Sequence, residues 1–242
     1  MIKKYLILSF LKFFDYYHNK KIFNFLKKKI INIDILIDIG AHKGESVSSF
    51  INNFSINCIY SFEPSIINFV ELKKRILKYI RKYKKTNFII YNYGLGEKKT
   101  SLILNQAIES SSSTFNKINL NSRYYKKKIS YLKNNADFFF EETLSKLDTL
   151  DNFFNQNKIP SVDIIKIDTE GYEYFVLKGF TENFQKAKFI IFEHHFDNMI
   201  IKKYTFSNIN NLLKKNNFAK IYKSKMPFRK TFEYIYVNQN KL

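Results

Sequence analysis

The sequence predicts an α/β fold, a mostly parallel sheet with helices on both faces. Three observations carry that reading. From Asp34 onward, short apolar runs alternate with longer amphipathic stretches, as in repeated strand–helix units. The run Leu36–Ile39 stops at Gly40-Ala41-His42-Lys43-Gly44-Glu45, a buried strand handing over to a helix through a glycine turn. A length of 242 residues suits one such domain with a full core and a small extension.

Composition narrows the class. A content of 45% hydrophobic and 18% aromatic residues excludes a disordered chain. The single cysteine, Cys58, excludes an intramolecular disulfide and a cysteine-built metal site. It lies in an apolar run and reads as a small core residue rather than a nucleophile. The net charge is +20, and lysine, asparagine, isoleucine, phenylalanine and tyrosine are enriched together while tryptophan is absent. All the enriched residues have AT-rich codons, so the basic excess reads first as a solvated surface. A polyanionic partner or a membrane surface is the alternative.

Residues 1–33 form a basic, helical extension in which Lys12 and Asp15 interrupt the apolar run. That run falls short of the roughly 20 residues of a spanning helix, and no small-residue cleavage site follows it. These helices are expected to pack on the domain, or to rest on an anionic inner leaflet from the cytoplasmic side. Residues 34–242 form the main domain. Ile35–Ile39 is the first strand and Glu45 to Asn53 the first helix of that domain. Cys58–Phe62 is the second strand, after which Pro64 opens a lysine-rich helix over Ser65–Lys82. Asn87–Asn92 is the third strand, and Thr100–Leu104 another. Residues 105–135 break the rhythm and read as an insert or lid loop. Leu147–Asp151 starts a helix, Asp163–Asp168 is a buried strand and Tyr172–Lys178 a helix. Lys188–Phe192 is a strand ending in Glu193-His194-His195. A helix (Ser207–Asn217) and two strands (Phe218–Lys223, Phe232–Val237) close the chain.

Ligands of open α/β sheets bind beyond the carboxyl ends of the strands. Those ends gather Asp38-Gly40, Glu63, Asn92, Asp168-Glu170 and Glu193-His194. Glu63 is placed to accept hydrogen bonds from the two ribose hydroxyls of an adenosine cofactor, or to cap the helix beside Pro64. The turn is Gly40-x-x-x-Gly44, not the G-x-G-x-x-G that sets a helix amino end on a pyrophosphate. Asp38 would repel a pyrophosphate but suits a cofactor with an ammonium and a sulfonium. Both points favour S-adenosylmethionine over NAD. In the strand Ile164–Asp168, Lys166 and Asp168 share a face. A lysine there needs an anion, supplied by Asp168 or Glu173, so a structural ion pair competes with a catalytic role.

Taken with Phe62-Glu63-Pro64, Asn92-Tyr93-Gly94-Leu95-Gly96, Leu147-Asp148-Thr149-Leu150 and Lys166-Ile167-Asp168-Thr169-Glu170-Gly171-Tyr172-Glu173, the Asp38–Gly44 turn makes the chain resemble the FkbM-type methyltransferases. The likeness runs from about Ile35 to His194. His42 stands where the family usually has asparagine. The resemblance implies a Rossmann-like class I fold with a seven-stranded sheet whose last strand is antiparallel. It also implies S-adenosylmethionine as cofactor and methyl transfer to a hydroxyl oxygen of a sugar, glycan or secondary metabolite. By matching motif, Asp38, Gly40, Gly44, Glu63 and Asn92 would hold the cofactor, with His42, Pro64 and Tyr93 beside it.

An alcohol is a poor nucleophile near neutral pH, and a base at hydrogen-bond distance would help. Asp168, Glu170 and His194 are the candidates, in that order, with Lys166 as a charged neighbour. A divalent ion held by Asp168, Glu193 and His194 is an alternative that is not expected, because no tight ligand motif is present. An RNA methyltransferase using the basic surface is the competing function. Its usual amine-methylating motif, a polar residue followed by Pro-Pro and an aromatic, is missing: the prolines are Pro64, Pro160 and Pro227. A small-molecule or glycan acceptor is therefore preferred to nucleic acid. An NAD-dependent oxidoreductase and a scaffold with a dead pocket are the remaining alternatives.

Overall fold

The computed structural model describes residues 2–107, 112–132 and 140–241. Helix α1 (Ile2–Lys27) precedes β1 (Asn32–Ile39), α2 (Glu45–Ile51), β2 (Ser55–Phe62), α3 (Ile66–Lys82) and β3 (Asn87–Tyr91). The chain continues through β4 (Gly94–Leu95), β5 (Thr100–Ala107), β6 (Lys117–Ile118), α4 (Arg123–Leu132), β7 (Phe140–Asp148) and α5 (Leu150–Gln156). It ends with β8 (Val162–Ile167), α6 (Glu173–Lys178), β9 (Ala187–His195), β10 (Ile200–Ile201), α7 (Phe206–Lys215), β11 (Phe218–Lys225) and β12 (Thr231–Asn238).

Seven strands form the main sheet in the order β11-β12-β9-β8-β1-β2-β3. The pairs from β9 through β8, β1 and β2 to β3 are all parallel, while β12 runs antiparallel to both β9 and β11. The predicted mostly parallel sheet with an antiparallel last strand is what the chain forms. The central strands are apolar on both faces because both are covered. Ile37, Ile39, Ile165, Ile167, Ile190 and Phe192 pack with residues of α5, α6 and α7. Leu36, Ile59, Ile164, Phe189 and Ile191 pack with α1, α2 and α3 on the other side. Helix α1 is tied to the last hairpin by a buried His18–Glu233 hydrogen bond (3.2 Å) and the Asp15–Arg229 ion pair (2.9 Å). Among the described residues no helix is long and apolar enough to cross a membrane.

The stretch 105–135 differs from a simple lid. Strand β5 runs on to Ala107, Asn105 and Thr114 form a β-bridge, and α4 covers Arg123–Leu132. Residues 108–111, with Ser110, and 133–135 lie outside the described residues. Strands β4, β7 and β5 make a separate sheet that the strand and helix pattern of the sequence does not predict. Leu147-Asp148 is therefore the end of a strand, not the start of a helix. Thr149 caps α5, its hydroxyl accepting from the Asn152 N–H at 3.0 Å. Pro64 likewise lies just before α3, whose cap is Ser65.

Candidate active site

The strand order reverses between β1 and β8, and ligand clefts of such sheets open at that point. A cleft of about 910 Å³, including the solvent at its mouth, lies there. The β1–α2 turn supplies one wall. Gly40 has φ +80, and a Cβ on it would stand 1.9 Å from the Asp168 carbonyl oxygen. No other residue lets β1 and the end of β8 approach so closely. His42 (φ 50) and Glu170 (φ 49) also sit in the left-handed region. Both line the cleft, so part of its wall is built from backbone conformations that L residues rarely adopt.

Glu63 forms the second wall. Its side chain is buried, and each oxygen accepts a backbone N–H: Oε2 from His42 at 2.8 Å, Oε1 from Ser65 at 2.9 Å. Burial pushes its pKa up, and the two N–H groups partly offset this. A carboxylate has about four lone-pair sites, so acceptor capacity remains on both oxygens for a ligand's hydroxyls. Next to it Asn68 lines the cleft, 1% exposed, with its Oδ1 lacking any partner. A buried acceptor without a donor is costly, and a ligand N–H or O–H would satisfy it. Asn68 had no signal in the sequence beyond its place in the first turn of α3.

Three carboxylates occupy the end of β8. Lys166 is buried and donates to Asp168 at 2.9 Å. Burial would depress this ammonium, but Asp168, Glu233 and Glu193 outweigh it and hold its pKa well above the usual value. Burial raises Asp168, and the charge and hydrogen bond of Lys166 outweigh that, keeping it below the ordinary range. Asp168 is thus an ionised carboxylate facing the cleft. Glu170 also lines the cleft, with His195 Nε2 3.3 Å from its Oε2. His195 Nδ1 lies 3.1 Å from the Thr231 hydroxyl and 3.8 Å from Asp197. Burial opposes its protonation, but Glu170 and Asp197 prevail and raise its pKa to about 10. Glu173 is a scaffold residue: it accepts from Thr169 and Gly171 N–H and from the Tyr204 hydroxyl at 2.6 Å, organising the 168–171 loop.

Several residues expected at the site stand elsewhere. His194 does not line the cleft. Its side chain packs among Phe196, Tyr204 and Phe206 on the α7 face, and burial with the charges of Lys202 and His195 lowers its pKa to about 3. Its neighbour His195, on the opposite face of β9, stands behind Glu170 and does not line the cleft either. Asp38 lies beneath the turn, 0% exposed, with both oxygens unpartnered. Burial raises its pKa to about 7, Lys166 opposing. Gly44 gives room to α3, since a Cβ there would meet Leu72 at 3.0 Å. Asn92 donates to the Glu63 and Pro64 carbonyls and so fixes the Glu63 backbone. Tyr93 packs against Phe62 and Tyr91 in the core. Gly40, His42, Glu63, Pro64, Asp168 and Glu170 do line the cleft, joined by Phe115 and Tyr172, whose rings lie 5.3 Å apart. Among the described residues no group of three or more side chains is placed to hold a metal.

A family model described as the methyltransferase FkbM domain matches residues 38–220. Among solved structures, methyltransferase FkbM from Methylobacillus flagellatus KT superposes with a TM-score of 0.56 at 16% identity, over 84% of this chain. The match spans 43% of that protein's length. Magnesium protoporphyrin IX methyltransferase from Synechocystis PCC 6803, with bound SAM, superposes with a TM-score of 0.50 at 8% identity. It is matched over 96% of this chain and 81% of its own. At these identities the likeness concerns the fold. No curated protein sequence matches the chain.

Proposed function

The chain belongs to the FkbM methyltransferase family, and from that premise we propose that it uses S-adenosylmethionine to methylate a hydroxyl oxygen of a sugar, glycan or secondary metabolite. The observation that carries the reading is the Glu63 carboxylate, pinned by two backbone N–H groups at the switch point with acceptor capacity left toward the cleft. Two vicinal ribose hydroxyls fit that carboxylate, and Asn68 Oδ1 offers an adjacent acceptor. Asp38 beneath the turn adds negative potential once pH exceeds its raised pKa of about 7, a charge that suits a cationic cofactor and disfavours a pyrophosphate.

The bound cofactor supplies an electrophilic methyl group on sulfonium. The protein's part is to align the acceptor and relieve it of its proton. Asp168 and Glu170 face the cleft and can accept a hydrogen bond from the acceptor hydroxyl. Lys166 keeps Asp168 ionised, so it attracts the hydroxyl proton without being a strong base. The His195 imidazolium faces Glu170 from behind, orients that carboxylate and balances its charge. The carbon–oxygen bond would form as the carbon–sulfur bond breaks to leave a neutral thioether, and the hydroxyl proton would pass to one of these carboxylates and then to water. His194 has no role in this step. Isothermal titration of the purified chain with S-adenosylmethionine should show binding that Glu63→Ala abolishes. Absence of binding to folded protein would overturn the reading, and methyl label entering RNA rather than a glycan or small molecule would replace its acceptor.

A further inference from the structure

The outward face of α3 differs from an ordinary solvated helix. Asn68, Leu72 and Ile76 are buried against the sheet, as an amphipathic helix requires. Yet Ile66, Ile67, Val70, Leu77 and Ile80, all pointing outward, are 44–54% exposed. At 100° per residue, Ile66, Val70 and Leu77 fall within about 40° of arc and form an apolar stripe that Lys73 interrupts between Val70 and Leu77. Lys73 and Ile80 flank it on one side, Arg81, Lys74 and Ile67 on the other. The helix carries six cations, Lys73, Lys74, Arg75, Lys78, Arg81 and Lys82, against one carboxylate, Glu71, which is itself paired with Lys74 at 2.7 Å.

The geometry points to α3 as a membrane-docking face that seats on an anionic lipid surface, its aliphatic stripe entering the headgroup–acyl boundary and its basic rim meeting lipid phosphates. The occupant follows from the chemistry of the patch. Interfaces with proteins are depleted of lysine at their cores, whereas here lysines interleave with the apolar residues. Single-stranded nucleic acid is gripped by aromatic platforms, whereas the stripe is isoleucine, valine and leucine. Apolar side chains rimmed by lysine and arginine are what binds an anionic bilayer from one side. The net charge of +20 acts in the same direction. Pro64 and Asn68, at the amino end of α3, line the cleft, so a docked α3 would bring the cleft beside the bilayer, where a lipid-linked acceptor could reach it. The docking itself stands whether or not the methyl acceptor is the one proposed.

Flotation of the full chain with vesicles tests it, using phosphatidylcholine alone and phosphatidylcholine with about one third phosphatidylglycerol. Binding is expected only to the anionic vesicles. The triple variant Lys73→Gln/Lys78→Gln/Arg81→Gln should lose affinity on the order of 100-fold. Val70→Ser/Leu77→Ser should lose on the order of tenfold with the charge intact. All five positions are outward-facing, so both variants should keep the wild-type melting temperature and cofactor affinity; these controls separate failed docking from a failed fold or a failed functional reading. Wild type that ignores anionic vesicles overturns the proposal. So does a loss confined to the charge variant, which would be diffuse attraction, or binding that survives in both variants and disappears in Lys20→Gln/Lys21→Gln on α1. Self-association through this face, dissolved by Val70→Ser/Leu77→Ser without vesicle binding, would overturn it in favour of a dimer.

Discussion

Replacing Asp38 by asparagine should stabilise the protein, and by an amount that depends on pH. The carboxyl is fully buried, neither oxygen has a hydrogen-bond partner, and its pKa is raised from 3.8 to about 7. An acid whose folded pKa is raised binds its proton more tightly in the native state. Between about pH 4 and pH 7 the native state therefore holds more protons than the unfolded chain, and stability falls as pH rises through that window. Three pKa units, already net of the opposing attraction of Lys166, correspond to roughly 4 kcal/mol. Near pH 4 the protonated aspartic acid and asparagine are close isosteres, and the two proteins should be equally stable. Above about pH 7 Asp38→Asn should lead by roughly 2–4 kcal/mol. Urea unfolding of both proteins at a series of pH values measures the difference directly, and other buried acids such as Glu193 cancel in it. Stability curves that run parallel from pH 4 to 8 would refute the reasoning, because they would show that Asp38 has no raised pKa to lose.

Four further outcomes follow from the same geometry. Glu63→Gln leaves a side chain of similar shape but removes the charge and half the acceptor capacity. Cofactor affinity by titration calorimetry should fall roughly 10- to 100-fold, as for loss of a charged hydrogen bond. Gly40→Ala drives a Cβ into the Asp168 carbonyl oxygen and should lower the unfolding free energy by at least about 3 kcal/mol; a wild-type melting curve would contradict the close approach. Tyr204→Phe leaves Glu173 without its 2.6 Å donor and should cost about 1–3 kcal/mol in denaturant unfolding. His195, with a pKa near 10, should stay charged from pH 6 to 9. His195→Gln should then lower kcat more than it raises KM and remove the alkaline fall of the rate profile, whereas His194→Gln should leave both unchanged.

The parallel sheet was legible because its strands are short apolar runs ended by turn residues, and the order of the motifs follows the order of the strand ends. The Lys166–Asp168 pair could be foreseen from the period of two alone and is present at 2.9 Å. The choice between His194 and His195 could not. Strand β9 is buried on both faces, so Ile190, Ile191 and Phe192 carry no alternation that says which face a following residue joins. The same ambiguity concealed that Asp38 lies under the turn rather than in the cleft. The second sheet was hidden for another reason. Strand β7 carries exposed Glu141, Glu142 and Leu144 and pairs with β5 across more than thirty residues of intervening chain, a long-range pairing that local pattern does not encode. Asn68 was unreadable because a polar residue in a first helical turn normally caps or faces water.

The two polar contacts between α1 and the last hairpin set an order of events during synthesis. His18 and Asp15 leave the ribosome well before their partners Glu233 and Arg229, which lie more than two hundred positions later. Until those partners appear, Ile22, Phe23 and Leu26 can rest on the growing sheet, but Asp15 and His18 lack these two contacts. Domains generally form as their chain emerges, and here these contacts close only once β12 has been made. A ribosome stalled before Thr231 would lack β12, the strand that joins β11 to β9, and with it the Glu233 partner of His18.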